Sequence, residues 1–259
     1  MVISEGAEYT TPPRKAILIK AIGTDATSAS HLKVEGSELG DLISTVAPMH
    51  KTSSNLLGPL RLGSLYYVIP PDSEFEWEGA SGSKARLIGS WVFLDPGESL
   101  PSDMLSRYEA QKDHYMTYVE GSYSHGTDTA LTAGAEVTVL TISPAANEKY
   151  VLNGPVMADV ENYTPSEGDL AIRMKYDETY LDTTLKDSAL GGIDILSAPR
   201  PPADTTEEEP FSLAGSPITV EPNHKLYFLV KNTSGASISP ASGTSLTFTI
   251  TAIVEYHRG

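Results

Sequence analysis

Residues 245–256, SLTFTITAIVEY, form a long segment in which apolar and polar side chains alternate. Every second residue is apolar or aromatic, in the order Leu246, Phe248, Ile250, Ala252, Val254 and Tyr256. Threonines at positions 247, 249 and 251 lie between them. Successive side chains of a strand point to opposite faces of its sheet, so this period of two predicts a strand with one face in a core.

Working outward, an aromatic stretch before this segment resembles one in the first half of the chain. Residues 226–231 read LYFLVK and residues 65–70 read LYYVIP, and an Ala-Ser-Gly triplet follows each, at 241–243 and 80–82. The pattern predicts that each half ends with an aromatic-rich strand, a turn and a long closing strand. Two explanations stay open, a duplication and a β composition shared by two unrelated sandwiches.

Strand-like periodicity runs through both halves of the chain. In residues 74–78, EFEWE, Phe75 and Trp77 alternate with glutamates, which predicts one apolar and one acidic face. In residues 86–95, RLIGSWVFLD, both parities are apolar, which predicts a central strand or one buried on both faces. Further strands are predicted at 16–19, 65–69, 136–142, 150–152, 156–160, 170–176, 193–196, 218–220 and 226–231.

One segment reads as a helix. Residues 95–116 open with the turn sequence Asp-Pro-Gly, and Ser102 follows as a predicted N-cap. Leu105, Tyr108 and Lys112 are then spaced three or four residues apart, as on one face of a helix.

These patterns predict an all-β fold of two β-sandwich or jelly-roll-like modules joined by a short helix. We predict an N-terminal sandwich over 1–100, a helical connector over 101–125 and a C-terminal jelly-roll-like sandwich over 126–259. A chain of 259 residues is long enough for two modest domains of this kind.

Charge and composition restrict the partners. The formal net charge is −16, so the field of the protein repels nucleic acid, and we expect no direct nucleic-acid contact. The chain has no cysteine, which excludes disulfides and thiolate chemistry. The N-terminus lacks a basic start and an apolar segment, so we expect no signal peptide and synthesis in the cytoplasm.

The sequence contains no recognisable catalytic motif, and we predict no catalytic, cofactor-binding or metal-binding residues. No nucleophile elbow, phosphate-binding glycine loop or dinucleotide motif occurs. His114 next to Asp113 could act as an oriented base, although a solvated pair at a helix end is favoured. No two histidines have the i, i+2 or i, i+4 spacing that would predict a shared metal; they lie at positions 31, 50, 114, 125, 224 and 257.

Acidic side chains occur at two further places. The glutamates of residues 74–78 resemble a glycosidase carboxylate set, but an edge strand protected by like charges is favoured. Residues 177–187 carry Asp177, Glu178, Asp182 and Asp187, which suit calcium, but a solvated loop is favoured because the EF-hand glycine and final glutamate are missing.

Tyrosines are concentrated near the predicted module junction. They suit a subunit or domain interface, because the ring can be buried while the hydroxyl still forms a hydrogen bond; ordinary sandwich packing is the alternative. The candidate interface residues are Tyr66, Tyr67, Tyr115, Tyr118 and Tyr123.

Residues 198–210, APRPPADTTEEEP, are predicted to form an exposed loop, with an interaction arm as the functional alternative.

Residues 95–111, DPGESLPSDMLSRYEAQ, with a sandwich half on either side, resemble a known class of virion protein. The chain is similar to the larger major capsid protein of membrane-containing icosahedral viruses of archaea and thermophilic bacteria. The resemblance implies an upright β-barrel that carries a second barrel as a turret, and no enzymatic activity. It implies a location in the virion, a homo-oligomer or a second capsid protein as partner, an underlying viral membrane, and exposed loops that could contact a host receptor. No cofactor is implied.

Two other functions remain open from the sequence. A receptor-binding or glycan-binding spike, tail or adhesin head would use aromatic loop residues such as Trp77 or Tyr163 to line a shallow site. A polysaccharide-degrading enzyme is the third reading, and it is the least supported because no catalytic constellation is present.

Overall fold

The computed structural model describes residues 1–50, 58–181, 193–195, 211–213 and 216–259. The chain divides into two compact units, Met1–Tyr118 with Glu255–Gly259, and Val119–Val254. The described residues form four antiparallel sheets and one α-helix, which confirms the all-β prediction of two β-sandwich modules. The domain boundaries 1–100, 101–125 and 126–259 stay a prediction; the helix belongs to the first unit.

The first unit contains two sheets and the helix. One sheet has the order β1-β9-β3-β6, with β7 also paired to β3, and the other has the order β2-β8-β4-β5. The elements are β1 (Val2–Ser4), β2 (Glu8–Thr10), β3 (Lys15–Thr24), β4 (Ser30–Val34), β5 (Ser37–Leu42), β6 (Leu60–Arg61), a 3₁₀ turn (Gly63–Leu65), β7 (Tyr67–Ile69), β8 (Glu74–Glu78), β9 (Lys84–Phe93), α1 (Ser102–Ala110) and β10 (His114–His125).

The second unit is also built from two sheets. One has the order β17-β13-β20-β12-β18, with β10 also on β20, and the other has the order β11-β19-β14-β15, with β16 also on β14. Strands β10 and β20 carry residues of both units. The remaining elements are β11 (Glu136–Ile142), β12 (Glu148–Leu152), β13 (Pro155–Glu161), β14 (Leu170–Tyr176), β15 (Thr179–Tyr180), β16 (Ile193–Asp194), β17 (Phe211–Ser212), β18 (Ile218–Val220), β19 (Leu226–Asn232) and β20 (Leu246–Arg258).

The predicted alternation of β20 is confirmed in its first half and replaced by full burial further along. Phe248 and Ile250 are buried while Thr247 and Thr249 are half-buried. From Thr251 to Val254 both parities are buried, and alternation returns beyond, where Glu255 and His257 are half-buried. The strand lies in the interior of its sheet between β13 and β12. A strand with neighbours on both edges needs no polar face if both of its surfaces are covered.

The Ala-Ser-Gly triplets adopt the same turn in both halves. Gly82 has φ +75° and Gly243 has φ +77°. The amide of Ser83 donates to the carbonyl of Ala80, and that of Thr244 donates to Ala241, both at 3.0 Å. A positive φ at the third position suits a type II turn, which requires glycine there. The strands before the turns differ, because β7 is a three-residue strand and β19 is a central seven-residue strand.

Helix α1 is shorter than the predicted helix and begins differently. Pro101 is its N-cap, Ser102 is its first helical residue, and no side chain caps it. It ends at Ala110, and β10 starts at His114. The run HYMTYV that follows is rich in aromatic and β-branched residues, which fit a pleated strand better than a helix. Likewise Leu65, predicted to be in a strand, lies in the 3₁₀ turn.

Two buried polar side chains connect α1 to β7 and β10. The amide of Gln111, just past the helix, accepts from Val68 N at 2.9 Å and donates to Val68 O at 3.0 Å. Arg107 donates to the carbonyl oxygens of Leu65, Tyr66 and His114 at 2.8 to 3.1 Å. These bonds pair backbone groups that no strand satisfies, as buried backbone polar groups require.

We predict that Gln111→Leu lowers the free energy of unfolding by about 2–4 kcal/mol, because it leaves two buried backbone groups of Val68 unpaired. Chemical denaturation followed by circular dichroism would measure the change. Glu109→Leu is the matched control, since Glu109 is exposed on the same helix and should change stability by less than about 0.5 kcal/mol. Equal effects of the two substitutions would contradict a specific role for the Gln111 amide.

Candidate functional site

The tyrosines predicted as an interface differ in exposure. Tyr67 is buried, and burial raises the pKa of its hydroxyl above the ordinary value. Tyr66, Tyr115, Tyr118 and Tyr123 are half-buried. Tyr66, Tyr67, Tyr115 and Tyr118 belong to the first unit and Tyr123 to the second. Their role in an interface stays a prediction.

An apolar surface lies instead on the second half of β9. Leu87, Gly89, Trp91 and Phe93 share one face of this strand, because side chains two apart point the same way. Leu87 is buried, yet Trp91 is 46% exposed and Phe93 69% exposed. Together with Met1, Trp91 lines a groove over this part of the sheet. We call Trp91 and Phe93 the β9 aromatic pair.

This exposure corrects one of the predictions for β9. The strand lies between β1 and β3, as the central-strand prediction required. Burial on both faces is wrong beyond Leu87, because the residues from Ile88 to Trp91 and Phe93 are exposed. Lys15, the register partner of Phe93 on β3, places its Nζ 5.4 Å from the centre of the Phe93 ring. The pair is thus exposed and bordered by a cation.

Charges in the first unit are divided between its two sheets. The described strands of the β9 sheet carry five basic and no acidic residues: Lys15, Lys20, Arg61, Lys84 and Arg86. The strands of the β8 sheet carry one lysine, Lys33, and six acidic residues: Glu8, Glu38, Asp41, Glu74, Glu76 and Glu78. Each sheet therefore carries one dominant sign of charge. Lys84 and Arg86 alternate with Leu87, Trp91 and Phe93, so they lie on the face of β9 opposite to the aromatic pair. Lys15 is the basic residue beside the pair.

The alternation of β8 is confirmed, but the prediction that it is an edge strand is wrong, because β8 pairs with β2 on one side and with β4 on the other. Phe75 and Trp77 are buried, while Glu74 and Glu78 are exposed. The Trp77 indole donates to Ser83 Oγ at 3.0 Å. Trp77 therefore lies in the core and cannot line a shallow binding site, which corrects its place in the spike hypothesis.

Tyr163, the other aromatic residue of that hypothesis, is half-buried and engaged within the second unit. Its hydroxyl donates to Asp169 Oδ2 at 2.5 Å. Burial, together with this carboxylate acceptor, raises the pKa of Tyr163 to about 12.

The acidic segment proposed for calcium has other partners. Asp177 Oδ2 lies 2.6 Å from His224 Nδ1, and its Oδ1 accepts from Lys225 N. Glu178 pairs with Lys175 at 2.8 Å. These groups already pair with carboxylates that a calcium ion would need, which agrees with the prediction of a solvated loop. Asp182, Asp187 and the predicted loop at 198–210 lie outside the described residues.

His31 is surrounded by carboxylates on the negative sheet. Its Nδ1 lies 3.1 Å from Asp41, and its Nε2 lies 3.8 Å from Glu38 and 3.5 Å from Glu78. The hydrogen bond to Asp41, followed by the charges of these groups, raises the pKa of His31 above 6.5 despite partial burial. Lys33 also faces Glu78, at 3.2 Å.

A second cluster joins β10 and β20 in the first unit. Glu255 Oε1 lies 3.0 Å from His114 Nε2 and 3.4 Å from His257 Nε2. The two imidazole rings stack with centroids 3.7 Å apart. Spacing along the sequence could not show that His114 and His257 meet, because they lie on paired strands distant in the chain. The sequence feature that could have indicated this cluster is that Glu255 and His257 lie two residues apart, so their side chains point to the same face of one strand.

No protein-family model matches the chain, and no curated protein does. Among solved structures, the chain is similar to the major capsid protein P2 of bacteriophage PM2, with 10% identity and a TM-score of 0.35, covering 100% of this chain and 97% of that one. It is also similar to a chain from infectious bursal disease virus, Gt strain, with 11% identity and a TM-score of 0.21, covering 100% and 77%. Both of these solved structures are of viral proteins. In the described residues, no helix has the length and apolar character to cross a membrane.

We predict that His31→Asn destabilises the protein more at about pH 5.5 than at about pH 9, by up to about 1 kcal/mol. A raised folded-state pKa means that the protonated form stabilises the fold. That contribution is complete below pH 6.5 and is lost as the pH rises through the raised pKa. Denaturation at both pH values would measure it, with the exposed His50→Asn as control. A pH-independent cost would contradict this account.

Proposed function

We propose that the chain is a viral structural protein, a major capsid protein whose copies associate side by side in an icosahedral shell. The observation that supports this best is the exposed β9 aromatic pair, which is bordered by Lys15 and belongs to a unit whose two sheets carry charges of opposite sign. Contiguous exposed apolar surface marks interaction sites, and aromatic residues are enriched in interfaces.

The occupant of this surface is a second copy of the chain. The positive sheet of one copy complements the negative sheet of the next, whereas two positive sheets facing each other would repel. A contact between two different surfaces is heterologous, and such contacts continue into rings or extended arrays. A shell requires contacts of this type, because each subunit must bind neighbours on more than one side.

The remaining parts of the proposal follow from the same role. The chain resides in the virion, assembles with itself and with a second capsid protein, and has no catalytic activity. A viral membrane lies beneath the shell, and exposed loops offer contacts to a host receptor. The narrower likeness to turreted capsid proteins of archaeal and thermophilic bacterial viruses belongs to this proposal as well.

We predict that replacing both members of the aromatic pair, Trp91→Ser with Phe93→Ser, weakens self-association at least about tenfold. Sedimentation velocity over a concentration series would give the association constant. Leu105→Ser is the matched control, because Leu105 is 42% exposed on α1. A wild-type chain that stays monomeric at every concentration, or equal association by both variants, would contradict the proposal.

A charge-swap experiment tests the heterologous contact separately. Lys20→Glu with Lys84→Glu lowers the net charge of the β9-sheet strands from +5 to +1, and Glu8→Lys with Glu74→Lys changes that of the β8-sheet strands from −5 to −1. All four residues are exposed. Each variant alone should associate more weakly, and an equimolar mixture should associate more strongly than either, because the unaltered negative sheet of the first variant can meet the unaltered positive sheet of the second. A mixture that remains monomeric, while the wild-type chain associates, would show that the positive sheet does not bind the negative one.

A further inference from the structure

We infer that His114, Glu255 and His257 form a binding site for a divalent transition-metal ion of the zinc type. The donor set is two imidazole nitrogens and one carboxylate oxygen, which zinc binds in three-ligand sites whose fourth position is taken by water. The three side chains are partly exposed, although His257 Nε2 itself is buried, so an ion would enter from the side of His114 and keep a water ligand there.

The spacing of the three ligand atoms fits one ion. In a tetrahedral site with bonds of about 2.0–2.1 Å, the ligand atoms lie about 3.3–3.4 Å apart. Glu255 Oε1 lies 3.0 Å from one imidazole nitrogen and 3.4 Å from the other, and all three atoms lie within 4.8 Å of one another. An ion would replace the imidazole–carboxylate contacts. Because the two rings are stacked with their planes 29° apart, at least one ring must rotate about its side-chain torsions before both nitrogens point at one ion.

The backbone holds the two ligand-bearing strands together beside the cluster. Arg258 N donates to Asp113 O at 2.7 Å, which joins the residue after His257 to the residue before His114. Arg107 Nη2 donates to His114 O at 2.8 Å. Tyr115 stacks on Tyr256, the residues that alternate with the ligands, with ring centres 4.8 Å apart. The ligands therefore project from a fixed strand pair, which reduces the ordering cost of binding.

Charges around the site are compatible with a bound cation. Arg107 is the cation that faces Glu255 from α1, and its guanidinium is committed to three carbonyl oxygens. The Glu255 carboxylate provides a negative charge within the site itself. At long range, the net charge of −16 raises the local concentration of cations around the protein.

The other histidine–carboxylate cluster fits an ion less well. His31 Nδ1 already bonds Asp41, and Lys33 Nζ lies 3.2 Å from both Glu76 and Glu78. The Lys33 ammonium group therefore already neutralises the carboxylates that a metal ion would bind. This difference makes His31→Asn an informative control.

We expect the full chain, prepared without a polyhistidine tag, to bind one equivalent of Zn²⁺ in isothermal titration calorimetry. Co²⁺ should give the visible absorption of a tetrahedral ion and should be displaced by Zn²⁺. His257→Asn and Glu255→Gln should each weaken Zn²⁺ binding at least roughly a hundredfold, since each removes a ligand. His31→Asn and the exposed His224→Asn should bind as the wild-type chain does.

Three results would overturn the assignment. They are no Zn²⁺ binding by the folded wild-type chain, equal binding by His257→Asn, and loss of binding in His31→Asn or His224→Asn. A variant that fails to fold is detected by circular dichroism. In that case, nuclear magnetic resonance of the wild-type chain tests the assignment. The imidazole signals of only two of the six histidines, His114 and His257, should shift when Zn²⁺ is added. The test does not depend on self-association, so the site and the proposed shell function fail or hold separately.

Discussion

The first unit depends on a requirement that applies to every buried segment, namely that backbone amide and carbonyl groups must find hydrogen-bond partners. Strand β7 is only three residues long and pairs with β3 along one edge. The Gln111 side chain supplies the missing partner to Val68, and Arg107 does the same for the carbonyls just before β7. Because Arg107 also holds His114 O, the same helix positions the start of β10 and the candidate metal ligand on it.

The chemistry of the two sheet surfaces follows from what each sheet must do in water. The glutamates of β8 protect no sheet edge, because β8 lies between β2 and β4; they keep its outer face solvated, and Glu76 and Glu78 pair with Lys33. The β9 sheet lacks acidic residues on its described strands and exposes Trp91 and Phe93. An exposed aromatic pair costs solubility in a free monomer, so its retention is best explained by a contact that covers it. In the proposed shell, a second copy of the chain would provide that contact.

The metal site and the assembly surface would contribute to a shell in different ways. In the proposed shell, the aromatic pair would act between copies, through the area that association removes from water. The ion would act within one unit, because all three ligands belong to it. It would join the beginning of β10 to the end of β20 and stabilise the folded unit in proportion to ion concentration.

Periodicity in the sequence was sufficient to determine the all-β class, the apolar and acidic faces of β8, and the alternating start of β20. Each of these is a local property, since a period of two requires only neighbours along the chain. The end of the helix at Ala110 was missed because the helical spacing continued into residues that prefer a strand.

Only the tertiary structure decided that Trp91 is exposed and Trp77 buried, although both lie in apolar strand patterns, because burial depends on which element covers a face. It also decided that His114 meets His257, since strand pairing brings together residues that no sequence spacing connects.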